Sequence, residues 1–269
     1  MGAEANLHAM APDRLDRDGY AILPGVVDLD LIAEVSDHVD WLLERYPERR
    51  GEDLTHDLVA NDPFWVRLVS DDRLLDVAQL FLGPDIALFA SHYISKPPFV
   101  GKQVLWHQDG AYWPLEPMEV ITLWLAVDPS TVENGCVRVI PGSHKGRIHP
   151  LRRRDDVESV LGSESAAAID ESLAVDLELA PGDVEIHHPG IVHGSNANVS
   201  PRRRCGLTIR YIPTSTRITS DEQPFVSALL LRGKPGVNIY QPWPRFVPGK
   251  HFGFDGAERW NDLLGSRRG

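Results

Sequence analysis

The chain has 269 residues, 42% of them hydrophobic and 25% charged, a balance ordinary for a globular protein with a substantial core. Its 27 basic residues stand against 39 acidic ones, a formal charge of −12, which disfavours a nucleic-acid partner or an anionic membrane surface. The arginine runs at 152–154 and 202–204 are too short to change that, and no apolar run reaches membrane-spanning length.

Met1 to Pro12 carries no basic segment followed by an apolar one, and Cys136 and Cys205 sit in no metal-type spacing, so a cytoplasmic protein with free thiols is expected. Tyr20 to Val27 reads as extended. From Asp28 to Tyr46 apolar residues recur at Leu31, Ile32, Val35, Val39, Leu42 and Leu43, a helical stripe with Asp28 as its N-cap. A second helix spans Asp72 to Leu82 and ends at Gly83-Pro84.

After Pro84 the texture becomes that of short strands, at 86–96, 103–109, 119–128, 136–140, 173–180, 183–188, 191–195 and 204–213. Turn residues such as Pro141-Gly142-Ser143 and Pro181-Gly182-Asp183 separate them. Strands of this number and length predict a mainly β, jelly-roll fold, flanked by N-terminal helices in 1–85. The core would span 86–213, with an insertion near 150–172 that lacks a strand pattern. Residues 214–269, rich in Pro, Gly and Trp, would wrap the barrel or cover its mouth, making one domain of 1–269.

The chemistry centres on Trp106-His107-Gln108-Asp109-Gly110. On a strand, residues i and i+2 share a face, so His107 and Asp109 aim together. One imidazole and one carboxylate on one edge, joined by a later histidine, would make the facial triad that suits iron(II) with open positions. His144, His149, His187, His188 and His193 are the later candidates; His193 ends a short apolar run and precedes Gly194-Ser195. Arg204 stands eleven positions beyond it, and its planar fork matches a carboxylate bidentately. Ser195 would add a hydroxyl to the same carboxylate. Arg210 shares strand parity with Arg204 and is its rival for that part.

These segments resemble the phytanoyl-CoA dioxygenase family of iron(II)- and 2-oxoglutarate-dependent oxygenases. The carrying motifs are Lys96-Pro97-Pro98, Trp106 to Trp113, Trp124 to Asp128, Glu133 to Cys136, Ile140 to Lys145, Pro181-Gly182-Asp183, and His193-Gly194-Ser195 with Arg204. They run in the family's order over roughly residues 15 to 215. The resemblance implies a double-stranded β-helix of cupin type with iron bound by His107, Asp109 and His193. It implies that Arg204, Ser195, Trp124 and, less strongly, Gln103 contact 2-oxoglutarate, and that the Asn134-Gly135 turn is structural.

Dioxygen is the other cosubstrate that the resemblance implies. Related halogenases carry a small residue in place of the carboxylate ligand, so Asp109 points to oxygen chemistry. The implied reaction converts 2-oxoglutarate to succinate and hydroxylates a C–H bond of a small organic molecule. Desaturation, epoxidation or cyclisation begin alike, and a jelly-roll protein that holds metal without oxidative turnover is the rival of another class. His92, Tyr112 and Arg210 are candidates for the substrate side, against packing roles or, for Arg210, a structural ion pair. Lys96 and Lys102 read as lysines near the mouth, and Trp243, Phe246, Phe252 and Phe254 as lid or anchor.

Overall fold

Ten buried residues of eleven at 86–96, His92 being half-buried, and ten of ten at 204–213 place two strands at the centre of the protein. A computed structural model describes residues 2–222 and 225–266, with backbone alone at 2–9 and 266. The first half runs α1 (Gly2–Asp18), β1 (Tyr20–Leu23), α2 (Leu29–Arg45), α3 (Pro63–Val69), α4 (Asp72–Leu82), β2 (Ile86–Lys96), β3 (Val104–His107), β4 (Leu115–Glu116) and β5 (Ile121–Ala126). The second runs β6 (Val137–Ile140), β7 (Leu151–Arg153), β8 (Ser163–Ser165), β9 (Val175–Leu177), β10 (Val184–His187), β11 (Val192–Ser195), β12 (Arg204–Pro213), β13 (Arg217–Ile218), β14 (Leu229–Arg232) and α5 (Ala257–Ser266).

A six-stranded sheet has the order β1-β10-β5-β12-β2-β14, and a four-stranded sheet the order β3-β11-β6-β9; every pairing in both is antiparallel. This is the expected jelly roll. Along β12 the odd residues Cys205, Leu207, Ile209 and Tyr211 join the core under the helices, while Arg204, Thr208 and Arg210 face the space between the sheets. The β12–β2 ladder shifts between Arg210, opposite Ala90, and Tyr211, opposite Leu88, leaving Phe89 as the extra residue of a bulge.

The expected helices form with their expected caps. Asp28 accepts a hydrogen bond from the Leu31 amide at 2.8 Å, and Leu31, Ile32, Val35, Val39 and Leu42 are buried against the large sheet. Helix α4 closes at Gly83, whose φ of +79° suits a residue without Cβ. Cys136 and Cys205 are free and buried. No described helix is long and apolar enough to cross a membrane.

Three expectations are corrected. The strand at 103–109 stops at His107, and Asp109 opens a 3-10 turn through Ala111, although Gln108 between them stays extended. The expected strand at 173–180 shortens to β9, because Glu171–Leu173 form a 3-10 turn. The stretch 150–172 does contain strands, the β7–β8 pair, whose polar faces hide the usual alternation. The C-terminal aromatics, read as lid or anchor, make anchoring contacts: Phe252 packs edge-on and Phe254 tilted against Phe64 of α3, and Trp243 stacks on Trp260 of α5.

Candidate functional site

A cavity of about 480 Å³ opens between the two sheets, with His107, Asp109 and His193 in its wall. His107 and His193 are direct partners across the β3–β11 ladder, their ring centroids 4.1 Å apart. In each ring Nδ1 donates to a backbone carbonyl two residues back, Leu105 at 2.8 Å and Ile191 at 3.2 Å. That contact fixes the tautomer and leaves both Nε2 lone pairs free. Asp109 Oδ1 lies 3.3 Å from Nε2 of His107 and 3.9 Å from that of His193, and the three ligand atoms all fall within 4.8 Å of one another. Two imidazole nitrogens and one carboxylate oxygen, all buried, form a donor set that fits a divalent transition metal with positions left open.

The other carboxylate oxygen is occupied by the protein itself. Thr122 Oγ1 lies 3.3 Å from Asp109 Oδ2, His187 Nε2 3.4 Å and Arg210 Nη2 3.5 Å. Burial favours a neutral Asp109, but Arg210 and the histidines outweigh it and hold the carboxyl well below its ordinary range. His187 in turn is held at Nδ1 by the buried Glu185 at 2.9 Å. Burial lowers the His187 pKa, but Glu185 and Asp109 outweigh it and raise it to about 9, in keeping with a ring placed between two carboxylates.

Of the five later histidines, only His193 is brought together with the pair. His187 reaches the wrong oxygen of Asp109. His144 accepts no metal geometry, its Nε2 being bound to the Asp16 carbonyl, and His188 accepts from the Gly190 amide. The His149 amide is tied to Gln108.

Arg204 is 1% exposed, and its guanidinium lies 5.2 Å from the Trp124 ring centre. Its Nε and Nη2 donate to the Gly135 carbonyl at 3.0 and 2.8 Å, and Nη2 reaches Ser195 Oγ at 3.4 Å. The Asn134-Gly135 turn is therefore more than a turn, since it aims this arginine. Lys96, expected near the mouth, is fully buried instead, its Nζ 2.7 Å from the same Ser195 hydroxyl. Burial and the adjacent Arg204 pull the Lys96 ammonium well below its ordinary range. Arg204 lines the cavity and forms no ion pair with a carboxylate among the described residues, so this end of the cavity fits an anion, while Lys96 lies outside the lining and reaches it only through Ser195.

Arg210 pairs with Asp109 and lies 2.9 Å from His92 Nδ1, at the other end of the cavity from Lys96. Tyr112 lines the cavity with its hydroxyl 2.6 Å from Ser163 Oγ on β8. Gln103 is not brought in: it is absent from the lining, and its backbone carbonyl accepts from the Val160 amide. The residues sequence reasoning missed are Lys96 as a buried cation, the Glu185–His187 pair, and the lining residues His56, Leu161 and Phe225. Lys96 had a signal, its place in the Lys96-Pro97-Pro98 motif; His56 lies in a polar 3-10 turn and had none.

Comparison with known proteins adds to this geometry. The profile of the phytanoyl-CoA dioxygenase family matches residues 15–206. An ectoine dioxygenase of Sphingopyxis alaskensis is 28% identical over 269 residues, covering 89% of this chain and 83% of its own. A probable alpha-ketoglutarate-dependent hypophosphite dioxygenase of Stutzerimonas stutzeri is 35% identical over 147 residues, 54% of this chain and 51% of its own. Phytanoyl-CoA dioxygenase domain-containing protein 1 of Bos taurus is 32% identical over 181 residues, 65% of this chain and 62% of its own. The chain thus spans less than two thirds of the latter two. Among solved structures, the apo non-heme monooxygenase ThoJ superposes with a TM-score of 0.75 at 25% identity, over 95% of both chains. EctD of S. alaskensis, solved with 2-oxoglutarate and 5-hydroxyectoine, gives 0.64 at 24% identity over 85% of this chain and 84% of its own.

Proposed function

The chain belongs to the phytanoyl-CoA dioxygenase family of iron(II)- and 2-oxoglutarate-dependent oxygenases, and on that premise we propose that it hydroxylates an unactivated C–H bond of a small organic molecule. The observation that carries this reading is the convergence of His107 Nε2, Asp109 Oδ1 and His193 Nε2 in a cavity also lined by the buried Arg204, which forms no ion pair with a carboxylate among the described residues. Iron(II), when bound, supplies the redox chemistry that couples dioxygen and 2-oxoglutarate to C–H oxidation.

His107, Asp109 and His193 would hold the iron. Arg204 and Ser195 would take the distal carboxylate of 2-oxoglutarate, with Lys96 orienting the Ser195 hydroxyl, and Trp124 would lie along its chain. Thr122, His187 and Arg210 hold Asp109 Oδ2, which would leave Oδ1 to bind iron. His92, Tyr112 and Arg210 fall to the substrate side. The buried sheet faces keep bulk water from the reacting atoms.

The test is a screen of small molecules scored by succinate release coupled to oxygen uptake, with His107→Ala as the blank. Iron and 2-oxoglutarate together should also give a weak visible charge-transfer band in the absence of oxygen. An iron-loaded protein without that band would end the cosubstrate assignment. Oxygen uptake matched by a rearranged, non-hydroxylated product would move the reaction to the desaturating, epoxidising or cyclising members of the same chemistry.

A further inference from the structure

The cavity wall around Arg210 is built almost entirely of donors. Arg210 is 6% exposed; its Nη1 has the Thr208 hydroxyl at 2.7 Å and His92 Nδ1 at 2.9 Å, and its Nη2 has Asp109, but its buried Nε has no acceptor. Arginine only donates, and Nη1 lies closer to His92 Nδ1, at 2.9 Å, than to Nε2, at 3.4 Å, so Nδ1 is assigned as the acceptor and the His92 proton falls on Nε2. His56 obeys the same logic, because its Nδ1 accepts the Ser91 amide at 3.2 Å and its proton therefore also sits on Nε2. Both rings line the cavity beside Arg210. Burial, and then the Arg210 charge, lowers the pKa of His56 to about 4 and that of His92 well below its ordinary value, in keeping with these neutral tautomers.

The acceptors nearby are taken. Asp57, which also lines the cavity, is held by Arg49 at 2.6 and 3.1 Å and by the Thr55 hydroxyl at 2.6 Å. Asp109, the partner of Arg210, would have its charge shared with the metal. The Nε2 donors of the half-buried His56 and His92 at the cavity wall have no acceptor among the described residues and call for one from the ligand, and the fixed Arg210 charge beside them favours an anion. Beside these donors the wall turns apolar, with Ala90, Trp113, Leu161 and Phe225. Trp113 and Phe225 are steadied by Phe89, whose ring lies 5.9 and 5.0 Å from theirs.

Resting on the proposed oxygenase site, we infer that the substrate is a small, largely apolar carboxylate whose carboxylate is received by His56, His92 and Arg210. Strand β12 then presents two arginines of the same parity, six residues or about 20 Å apart along the strand, Arg204 for the cosubstrate anion and Arg210 for the substrate anion. The bound molecule is anchored on one side of Asp109 and the cosubstrate on the other, which brings the apolar body of the substrate past the metal ligands.

The test is direct binding to the whole chain loaded with nickel(II) in place of iron and saturated with 2-oxoglutarate, so that nothing turns over and Arg204 is occupied. The probes are 3-phenylpropanoate and its amide, followed by calorimetry. The acid should bind at least about tenfold more tightly than the amide, the worth of one charge-assisted hydrogen bond. Arg210→Gln and His56→Phe should each shrink that ratio toward one; His56 touches no metal ligand, so its variant speaks even if Arg210→Gln disturbs Asp109. Equal binding of acid and amide, binding of neither, or an acid preference that survives both substitutions would overturn the inference. A titration of 2-oxoglutarate in the same protein separates the two readings: failure of that titration with the acid preference intact strikes the cosubstrate assignment and supports this one.

Discussion

The Nζ of Lys96 lies 2.7 Å from Oγ of Ser195, a contact between residues 99 positions apart that joins β2 of the large sheet to β11 of the small one. Ser195 and Arg204 line the cavity, and Lys96, outside the lining, holds the Ser195 hydroxyl beside Arg204. Lys96→Met should raise the KM for 2-oxoglutarate by about tenfold, the cost of losing one charge-assisted bond, while iron affinity stays unchanged. Steady-state kinetics with 2-oxoglutarate as the varied component checks this. An unchanged KM would reduce Lys96 to a tie between the sheets.

Glu185→Gln should weaken iron(II) binding without removing a ligand. The substitution takes the charge that holds His187, and His187 is one of three donors that fix Asp109. Loss of such a supporting contact costs about 10–100-fold in metal affinity. Competition with a coloured chelator measures it, and Asp109→Ala, which should retain no iron through gel filtration, marks the lower limit.

Gly206→Ala should damage both stability and cosubstrate binding. A Cβ at this position would run into the six-membered ring of Trp124, which itself lies beneath Arg204. Forcing extra atoms into a packed core typically costs 1–3 kcal/mol, so a fall of about 2 kcal/mol in unfolding free energy is expected. Urea unfolding and the 2-oxoglutarate KM should shift together; a stable variant with normal KM would show that Trp124 yields freely.

Acid should destabilise the protein through His56. Its folded pKa of about 4 lies below its ordinary value of 6.5, so the unfolded chain binds more protons between these values. The His56 contribution to stability is thus present above about pH 6.5 and lost as the pH falls toward 4. The urea midpoint should decline across that window, and His56→Phe should decline less steeply. An identical slope in the variant would assign the acid sensitivity to other groups.

Much of this was legible because the informative residues report their own geometry. Strands β2 and β12 match the expected 86–96 and 204–213 since central strands buried on both faces keep β-forming residues throughout. His107 and Asp109 share a face as alternation predicts, even though the ladder ends before Asp109, because Gln108 stays extended. What failed to show depended on environment. Lysine is exposed by default, so Lys96 looked solvated until the neighbouring strands closed over it. The β7–β8 hairpin is held by ion pairs such as Arg154 with Glu164, leaving no apolar period to read. Helix α1 contains Pro12, which argues against a helix locally, yet Ala11 and the packed Leu15 bury against the core. The aromatics of 243–254 carry no sign of which surface they cover.

The direct pairing of His107 with His193 has a consequence for the order in which this protein matures. Two of the proposed ligands meet only after strands 86 residues apart in the chain have found each other, a late and entropically costly closure. A metal that requires both histidines cannot nucleate folding; it binds only after this long-range register has formed. Metal uptake after dilution from denaturant should therefore lag the recovery of helical signal, which makes occupancy a clock for the closure of β3 on β11.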